Sequence, residues 1–215
     1  MMIERANSGL HDFIFKVIVN RNLIKKETTV LDIGSGSGAW LKRFKDLGIN
    51  ILFGVDLEVK QFSLEGTNVL AMNIDNYNDE KLGAFDLITS LELIEHLEYP
   101  GNLFKMIDNN LSVNGAWVIS TPNIHSINAR LRFLIKGRLG HFDNKSVPTH
   151  IYPVYTENLE RILKRYNLRI SEIISFPASG TLNYSFFISC LAKIISLFVP
   201  RSTPGDNIIY IINRD

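Results

Sequence analysis

The chain has 215 residues, 46% hydrophobic and 21% charged, ordinary globular proportions that exclude a disordered, collagen-like or coiled-coil chain and leave enough material for one domain. A formal net charge of +1 gives no overall attraction for nucleic acid, so any anionic partner would have to be held locally. The single cysteine, Cys190, excludes an internal disulfide and a cysteine-based zinc site, and Met1-Met2-Ile3-Glu4-Arg5 does not open a continuous apolar stretch of the secretory kind, so the expected location is cytoplasmic.

Leu10, Phe13, Ile14, Val17 and Ile18 recur at helical spacing and predict an amphipathic helix that covers the main fold. Thr29–Ile33 is a short β-branched run that ends in Gly34-Ser35-Gly36-Ser37-Gly38, after which Leu41, Phe44 and Leu47 restore the helical period. Gly48 stops that helix, and Ile51–Val55 reads as a second buried strand ending at Asp56. Strands at Val69–Met72 and Phe85–Ser90, a helix carrying Leu103, Met106, Ile107 and Leu111, and a strand at Trp117–Ser120 continue the alternation. Such alternation implies an α/β fold with a mainly parallel sheet covered by helices.

Beyond Pro122 the pattern loosens, and residues 124–155 read as an insertion or lid on the acceptor side of a single domain spanning 1–215. Thr156 is placed to cap a helix whose apolar face is Leu159, Ile162, Leu163 and Tyr166, with Glu157 and Glu160 in its first turn. Runs at Leu168–Phe176 and Asn207–Ile212 complete the sheet, separated by an apolar helical insertion over about 182–200. Within it, residues 184–199 carry Lys193 near the middle and fall short of the roughly 20 apolar residues of a membrane span. That segment is expected to pack on the core or on a second copy, or to rest on a lipid surface.

The strongest chemical signal is Asp32-Ile33-Gly34-Ser35-Gly36-Ser37-Gly38, where glycines admit a ligand close to the backbone and the next helix presents free amides. Gly34, Gly36 and Ala39 also satisfy a dinucleotide-binding pattern, with Asp56 about where a ribose-binding acid belongs, so a nicotinamide-dependent oxidoreductase is the rival reading. Asp32 separates the two, because a carboxylate beside the glycines repels a pyrophosphate but attracts the ammonium and sulfonium charges of S-adenosylmethionine.

Val30-Leu31-Asp32-Ile33-Gly34-Ser35-Gly36-Ser37-Gly38, Gly54-Val55-Asp56, Phe85-Asp86-Leu87-Ile88 and Gly115 to Asn123 stand in an order and spacing that resemble the class I S-adenosylmethionine-dependent methyltransferases. The resemblance covers residues 28–123 and implies a Rossmann-like, mostly parallel seven-stranded sheet with helices on both faces and its last strand antiparallel. It implies that Asp32, Gly34, Ser35, Gly36 and Gly38 hold the amino-acid part of the cofactor and that Asp56 binds its ribose. It also places Leu57, Asn73, Ile74, Asp75, Leu91 and Glu92 along the cofactor, with either Asn73 or Asp75 aligned to the adenine amine.

Glu92-Leu93-Ile94-Glu95-His96 follows the strand that ends near Ser90 and faces the reacting methyl in this family. Small-RNA ribose methyltransferases and catechol-type quinone-pathway enzymes use a similar group for a divalent metal, so Glu92, Glu95, His96 and a more distant His150 are candidate ligands. The plainer reading has Glu92 touching cofactor or substrate while Glu95 and His96 brace the loop, and no metal is assigned. His96 and His150 are the candidate general bases. The basic stretch with Arg130, Arg132, Lys136 and Arg138 resembles both MetW-like proteins of methionine biosynthesis and methyltransferases found with surface-polysaccharide enzymes. The first resemblance implies a cofactor-binding regulator without turnover. The second implies methylation of an oxygen or nitrogen on a small-molecule or glycan acceptor, and nucleic acid is not favoured.

Overall fold

The computed structural model describes residues 6–143, 147–177, 195 and 203–215. Helix α1 (Leu10–Asn20) leads into β1 (Val30–Ile33), α2 (Ala39–Asp46), β2 (Leu52–Asp56), β3 (Asn68–Ala71) and β4 (Phe85–Leu91). Then follow α3 (Gly101–Asn110), β5 (Leu111–Pro122), α4 (Ile127–Lys136), α5 (Thr156–Leu163), β6 (Leu168–Phe176) and β7 (Asn207–Arg214). The seven strands form one sheet in the order β3-β2-β1-β4-β5-β7-β6. β1 to β5 pair in parallel, while β7 runs antiparallel to both β5 and β6, so the expected Rossmann-like class I sheet with an antiparallel last strand is borne out.

All four residues of β1 are buried because the strand lies between β2 and β4 and is covered on both faces. Its alternation divides the core. Val30 joins Leu10, Ile14 and Ile18 of α1 and Trp40, Leu41 and Phe44 of α2 on one face. Leu31 and Ile33 join Leu103, Phe104, Met106 and Ile107 of α3 and Leu159 and Leu163 of α5 on the other. An 11-residue helix such as α1 is marginal alone, but burying each of its three core side chains contributes about 1.5 to 3 kcal/mol, enough to dock it. The register places Asp32 opposite Gly54 on β2 and Thr89 on β4, a row of three residues at the centre of the sheet.

Two expectations need correction. β5 begins at Leu111, directly after α3, so it is longer than Trp117–Ser120, and its pairing with β4 is irregular between Phe85 and Leu87. Thr156 does not cap α5: Tyr155 holds that position, and the Thr156 hydroxyl instead reaches His125 Nε2 at 3.0 Å and the Tyr210 hydroxyl at 2.8 Å. The expected apolar insertion, residues 182–200 apart from Ile195, lies outside the described residues. Among the described residues, no helix is long and apolar enough to cross a membrane.

Candidate active site

The glycine turn joins β1 to α2 with Gly34, Gly36 and Gly38 at φ of 86°, 52° and 84°, left-handed conformations that favour glycine. Its path is set from β2. The Gly34 and Ser35 amides both donate to the Val55 carbonyl, at 2.7 and 3.0 Å, and the Gly36 amide donates to Asp56 Oδ2 at 2.7 Å. A Cβ on Gly54 would stand 2.8 Å from Ser35 Oγ, so β2 needs a glycine there for the turn to settle against it.

This turn forms one wall of a cleft of about 220 Å³ that is also lined by Asp32, Asp56, Leu91, Glu92, Leu93 and His96. Asp32 is almost wholly buried, and its Oδ1 accepts a 2.6 Å hydrogen bond from Thr89 Oγ1, which itself accepts from Trp40 Nε1 at 3.0 Å. Burial pushes the Asp32 carboxyl up to about 7; the Thr89 hydrogen bond opposes the rise and the negative Asp56 adds to it. A cationic group in the cleft would restore the charge that burial suppresses.

Across the cleft, Glu92 takes a left-handed φ of 50°, which costs a non-glycine residue roughly 1 to 3 kcal/mol and must be held from outside. Its amide donates to the Ser120 carbonyl at 3.1 Å, its Oε1 accepts from Ser120 Oγ at 2.9 Å and its Oε2 accepts from Asn207 Nδ2 at 2.7 Å. Burial pushes the Glu92 carboxyl up to about 7 against those two side-chain bonds.

The Ile94–His96 segment is a single 3-10 turn. Glu95 is fully buried within it, and neither carboxylate oxygen has a hydrogen-bond partner among the described residues, although Thr121 lies close enough to temper its charge. Burial first, and then the neighbouring Glu92, push the Glu95 carboxyl well above the usual range. His96 Nδ1 donates to the Thr149 carbonyl at 3.2 Å, and His150 Nδ1 donates to the His141 carbonyl at 2.9 Å. Each ring therefore keeps a lone pair on Nε2. Burial lowers the pKa of both, and for His150 the neighbouring His96 lowers it further, so both are neutral bases near pH 7. The two rings meet edge to face with centroids 4.6 Å apart.

A family described as a methyltransferase domain matches residues 6–173. The chain belongs to that family. The expectation of a class I methyltransferase with S-adenosylmethionine as cofactor is borne out, and the nicotinamide alternative falls away. The ubiquinone biosynthesis O-methyltransferase of Nitrosococcus oceani is 28% identical over 103 residues, 44% of this chain and 43% of that protein. The mitochondrial ubiquinone biosynthesis O-methyltransferase of Schizosaccharomyces pombe is 26% identical over 187 residues, 80% of this chain and 66% of that protein. The chain thus spans about half to two thirds of the length of these relatives. In fold it is similar to a SAM dependent methyltransferase from Archaeoglobus fulgidus, with a TM-score of 0.64 and 22% identity over 95% of this chain and 94% of that one.

The methyltransferase cleft gathers Asp32, Gly34, Ser35, Gly36, Asp56, Leu91, Glu92 and His96, but not the remaining sequence candidates. Gly38 starts α2 and packs toward Phe62 and Leu64. Leu57 is exposed, and Ile74 is in the core beneath α3. Asn73 Oδ1 caps the following turn by accepting from the Asp75 amide at 3.0 Å, and Asp75 Oδ1 accepts from the Tyr99 amide at 2.7 Å. The cleft also takes in Ser37, Ala39 and Leu93, which stand in the sequence motifs, and His11 from α1 and Trp40, which were not singled out from sequence. Trp40 was within reach of sequence reasoning, being an aromatic in the first turn after the glycines; His11, distant in the chain, gave no signal.

In the segment that the sequence reading assigned to the acceptor side, His125 does not line the cleft. Its ring accepts from the Thr156 amide at 3.2 Å and ties α5 to the segment before α4. Arg132 is paired with Asp143 at 2.8 Å, which removes it from the set of basic residues open to an acceptor phosphate.

Proposed function

We propose that this methyltransferase holds S-adenosylmethionine between the glycine turn and the Leu91–Leu93 wall, and methylates an oxygen or nitrogen of a small-molecule or glycan-type acceptor entering beside His96. The observation that carries the reading is Asp32, a buried carboxyl that lines the cleft beside amide-rich backbone and whose side-chain partner among the described residues is the Thr89 hydroxyl. Oxygen is the preferred acceptor atom because the two ubiquinone-pathway relatives are named O-methyltransferases.

When bound, the cofactor supplies a methyl carbon already activated by a positive sulfur. The chain's part is placement and the handling of one proton. Asp32 attracts the cationic end, and the backbone amides of the turn face the remainder. Asp56, whose Oδ2 now accepts from the Gly36 amide, is the acid available to ribose hydroxyls. Leu91 and Leu93 exclude water from the reacting centre. His96 Nε2 takes the acceptor's proton, with its ring fixed through Nδ1 and by the face of His150. The test is incubation of the purified chain with methyl-labelled S-adenosylmethionine and fractionated cell extract, beside calorimetry of cofactor binding. Asp32→Ala should abolish binding and labelling together. Binding without labelling of any fraction would leave the MetW-like regulatory reading in its place.

A second reading, a divalent metal, is favoured by one observation: Glu95, His96 and His150 each offer a ligand atom within 4.8 Å of the others. Two neutral imidazoles and a buried carboxyl whose oxygens have no hydrogen-bond partner within normal distance among the described residues suit a borderline divalent ion, while Glu92 is held by Ser120 and Asn207. Such an ion would lower the pKa of an acceptor hydroxyl. Elemental analysis decides it. One equivalent of metal in the wild type and none in Glu95→Gln supports the site, and a metal-free wild type after growth in zinc- and manganese-supplemented medium removes it.

A further inference from the structure

We propose that Asn207 is a positioning residue for Glu92, and that the carboxylate it holds reads the positive sulfur of S-adenosylmethionine, so that the cleft tells the cofactor from its product. The inference rests on the cofactor reading of this cleft and adds a second charge contact to the one given to Asp32. Asn207 is buried at the start of β7 and is fixed from both sides, paired with Pro122 of β5 and Phe176 of β6. Its amide has one orientation that suits both neighbours. Oδ1 accepts from Asn7 Nδ2 at 2.6 Å, which leaves Nδ2 to donate to Glu92 Oε2 at 2.7 Å.

The other carboxylate oxygen is held in the same manner. Ser120 Oγ accepts from the Glu92 amide at 3.1 Å and gives its own hydrogen to Glu92 Oε1 at 2.9 Å. Both oxygens therefore face donors, the arrangement that favours the charged form. Packing alone needs neither a left-handed Glu92 nor an acid withdrawn from water, and both cost stability. A carboxylate kept there by donors from two strands calls for a cationic partner in the cleft.

The cofactor has two positive centres, an ammonium and a sulfonium joined by a short carbon chain. Asp32 and the turn amides stand on one wall of the cleft, and Glu92 stands between Leu91 and Leu93 on the other, with His96 beside it. With the ammonium at Asp32, the sulfonium falls toward the wall where the acceptor enters. Methyl transfer leaves a neutral thioether, so a carboxylate on that wall attracts the cofactor and not the spent product. Asn7 extends the chain outward. It is exposed, its carbonyl accepts from the Leu10 amide at 2.9 Å in the turn that opens α1, and α1 carries His11 to the cleft. Docking of the N-terminal segment and the setting of Glu92 are thus joined through Asn207.

The test is calorimetry of the full chain at pH 8 with S-adenosylmethionine and with S-adenosylhomocysteine, read as the ratio of the two dissociation constants. Glu92→Gln keeps the size and can donate to Ser120 Oγ, and it should shift the ratio by about tenfold toward the product. Asn207→Leu should shift it the same way by about fivefold, with little change in affinity for S-adenosylhomocysteine, and Asn7→Ala by about twofold. A merely structural Asn207 would weaken both compounds alike. Circular dichroism checks the fold of each variant, and where Asn207→Leu is unfolded the Asn7→Ala ratio decides. The proposal is overturned by a wild-type ratio in Glu92→Gln, or by equal weakening of both compounds in Asn207→Leu with no change in Asn7→Ala. A wild type that binds neither compound overturns the cofactor reading and this inference together. One that binds both, loses both in Asp32→Ala and keeps its ratio in Glu92→Gln removes this inference alone.

Discussion

Thr89 Oγ1 donates its hydrogen to Asp32 Oδ1 at 2.6 Å while it accepts from Trp40 Nε1 at 3.0 Å, which turns the hydroxyl hydrogen toward the carboxyl. The chain of three fixes the hydroxyl's direction, so Thr89 stabilises the charged form of Asp32 specifically. Thr89→Val keeps the shape and removes the donor. A hydrogen bond to a charged group contributes about 1.5 to 3 kcal/mol, so the dissociation constant for S-adenosylmethionine should rise roughly tenfold or more at pH 7. The affinity should recover as the pH is raised and the carboxyl ionises. Calorimetry at several pH values checks this, and a loss that is the same at every pH would assign Thr89 to packing alone.

Cofactor affinity itself should climb with pH. In the ligand-free protein burial holds the Asp32 carboxyl at about 7, and a cationic ligand binds the ionised form. Below that point the ligand must displace a proton, so affinity should fall by about tenfold for each unit from pH 7 to pH 5 and be accompanied by proton release. Glu92, also held at about 7, lies in the same cleft. In Glu92→Gln the slope assigned to Asp32 should remain. Equal affinity at pH 5.5 and pH 7 would show that the charge on Asp32 does not select the ligand.

The same suppressed ionisation makes Asp32 a cost to the empty fold. An acid whose pKa is raised on folding binds more protons folded than unfolded between its two values, so stability is lost as pH rises from about 4, the unfolded value, through about 7. Asp32→Asn retains an oxygen to accept from Thr89 and has no charge to bury. It should raise the ligand-free unfolding free energy at pH 8 by roughly 2 to 4 kcal/mol, a gain of about 5 to 10 °C in Tm, and leave it unchanged at pH 4. It should also abolish cofactor binding. Differential scanning fluorimetry at the two pH values decides it, and destabilisation at pH 8 would contradict the electrostatic account.

What could be read from the sequence is what lies close together in the chain. Asp32, the glycine turn and Asp56 belong to one strand-turn-helix-strand unit, and their letters and spacing carry both fold and chemistry. The partners that tune them are brought in by sheet register: Thr89 faces Asp32 because β4 pairs with β1, and Asn207 reaches Glu92 because the antiparallel β7 sets Asn207 opposite Pro122. Antiparallel pairing of that kind leaves no periodic trace. Glu92, Glu95 and His96 stand in the sequence as one group of candidate ligands, but a left-handed Glu92 followed by a 3-10 turn sends Glu92 to Ser120 and leaves Glu95 and His96 with His150.

Thr156 gives the last prediction, because its residue type suggested a helix cap and its contacts describe a bridge. Its hydroxyl stands between His125 Nε2 and the buried Tyr210 hydroxyl, joining α5, β7 and the segment that leads into α4. Thr156→Val would take the hydroxyl from the buried Tyr210 and leave His125 Nε2 with the Thr156 amide alone, costing about 1 to 3 kcal/mol. Thr156→Ser, which keeps the hydroxyl, should restore most of that. Thr156→Asn, as good a cap as threonine but longer and shaped for a different partner geometry, should not. Chemical denaturation of the three variants separates the roles: rescue by asparagine as well as serine would return Thr156 to the end of the helix and release His125 from the sheet.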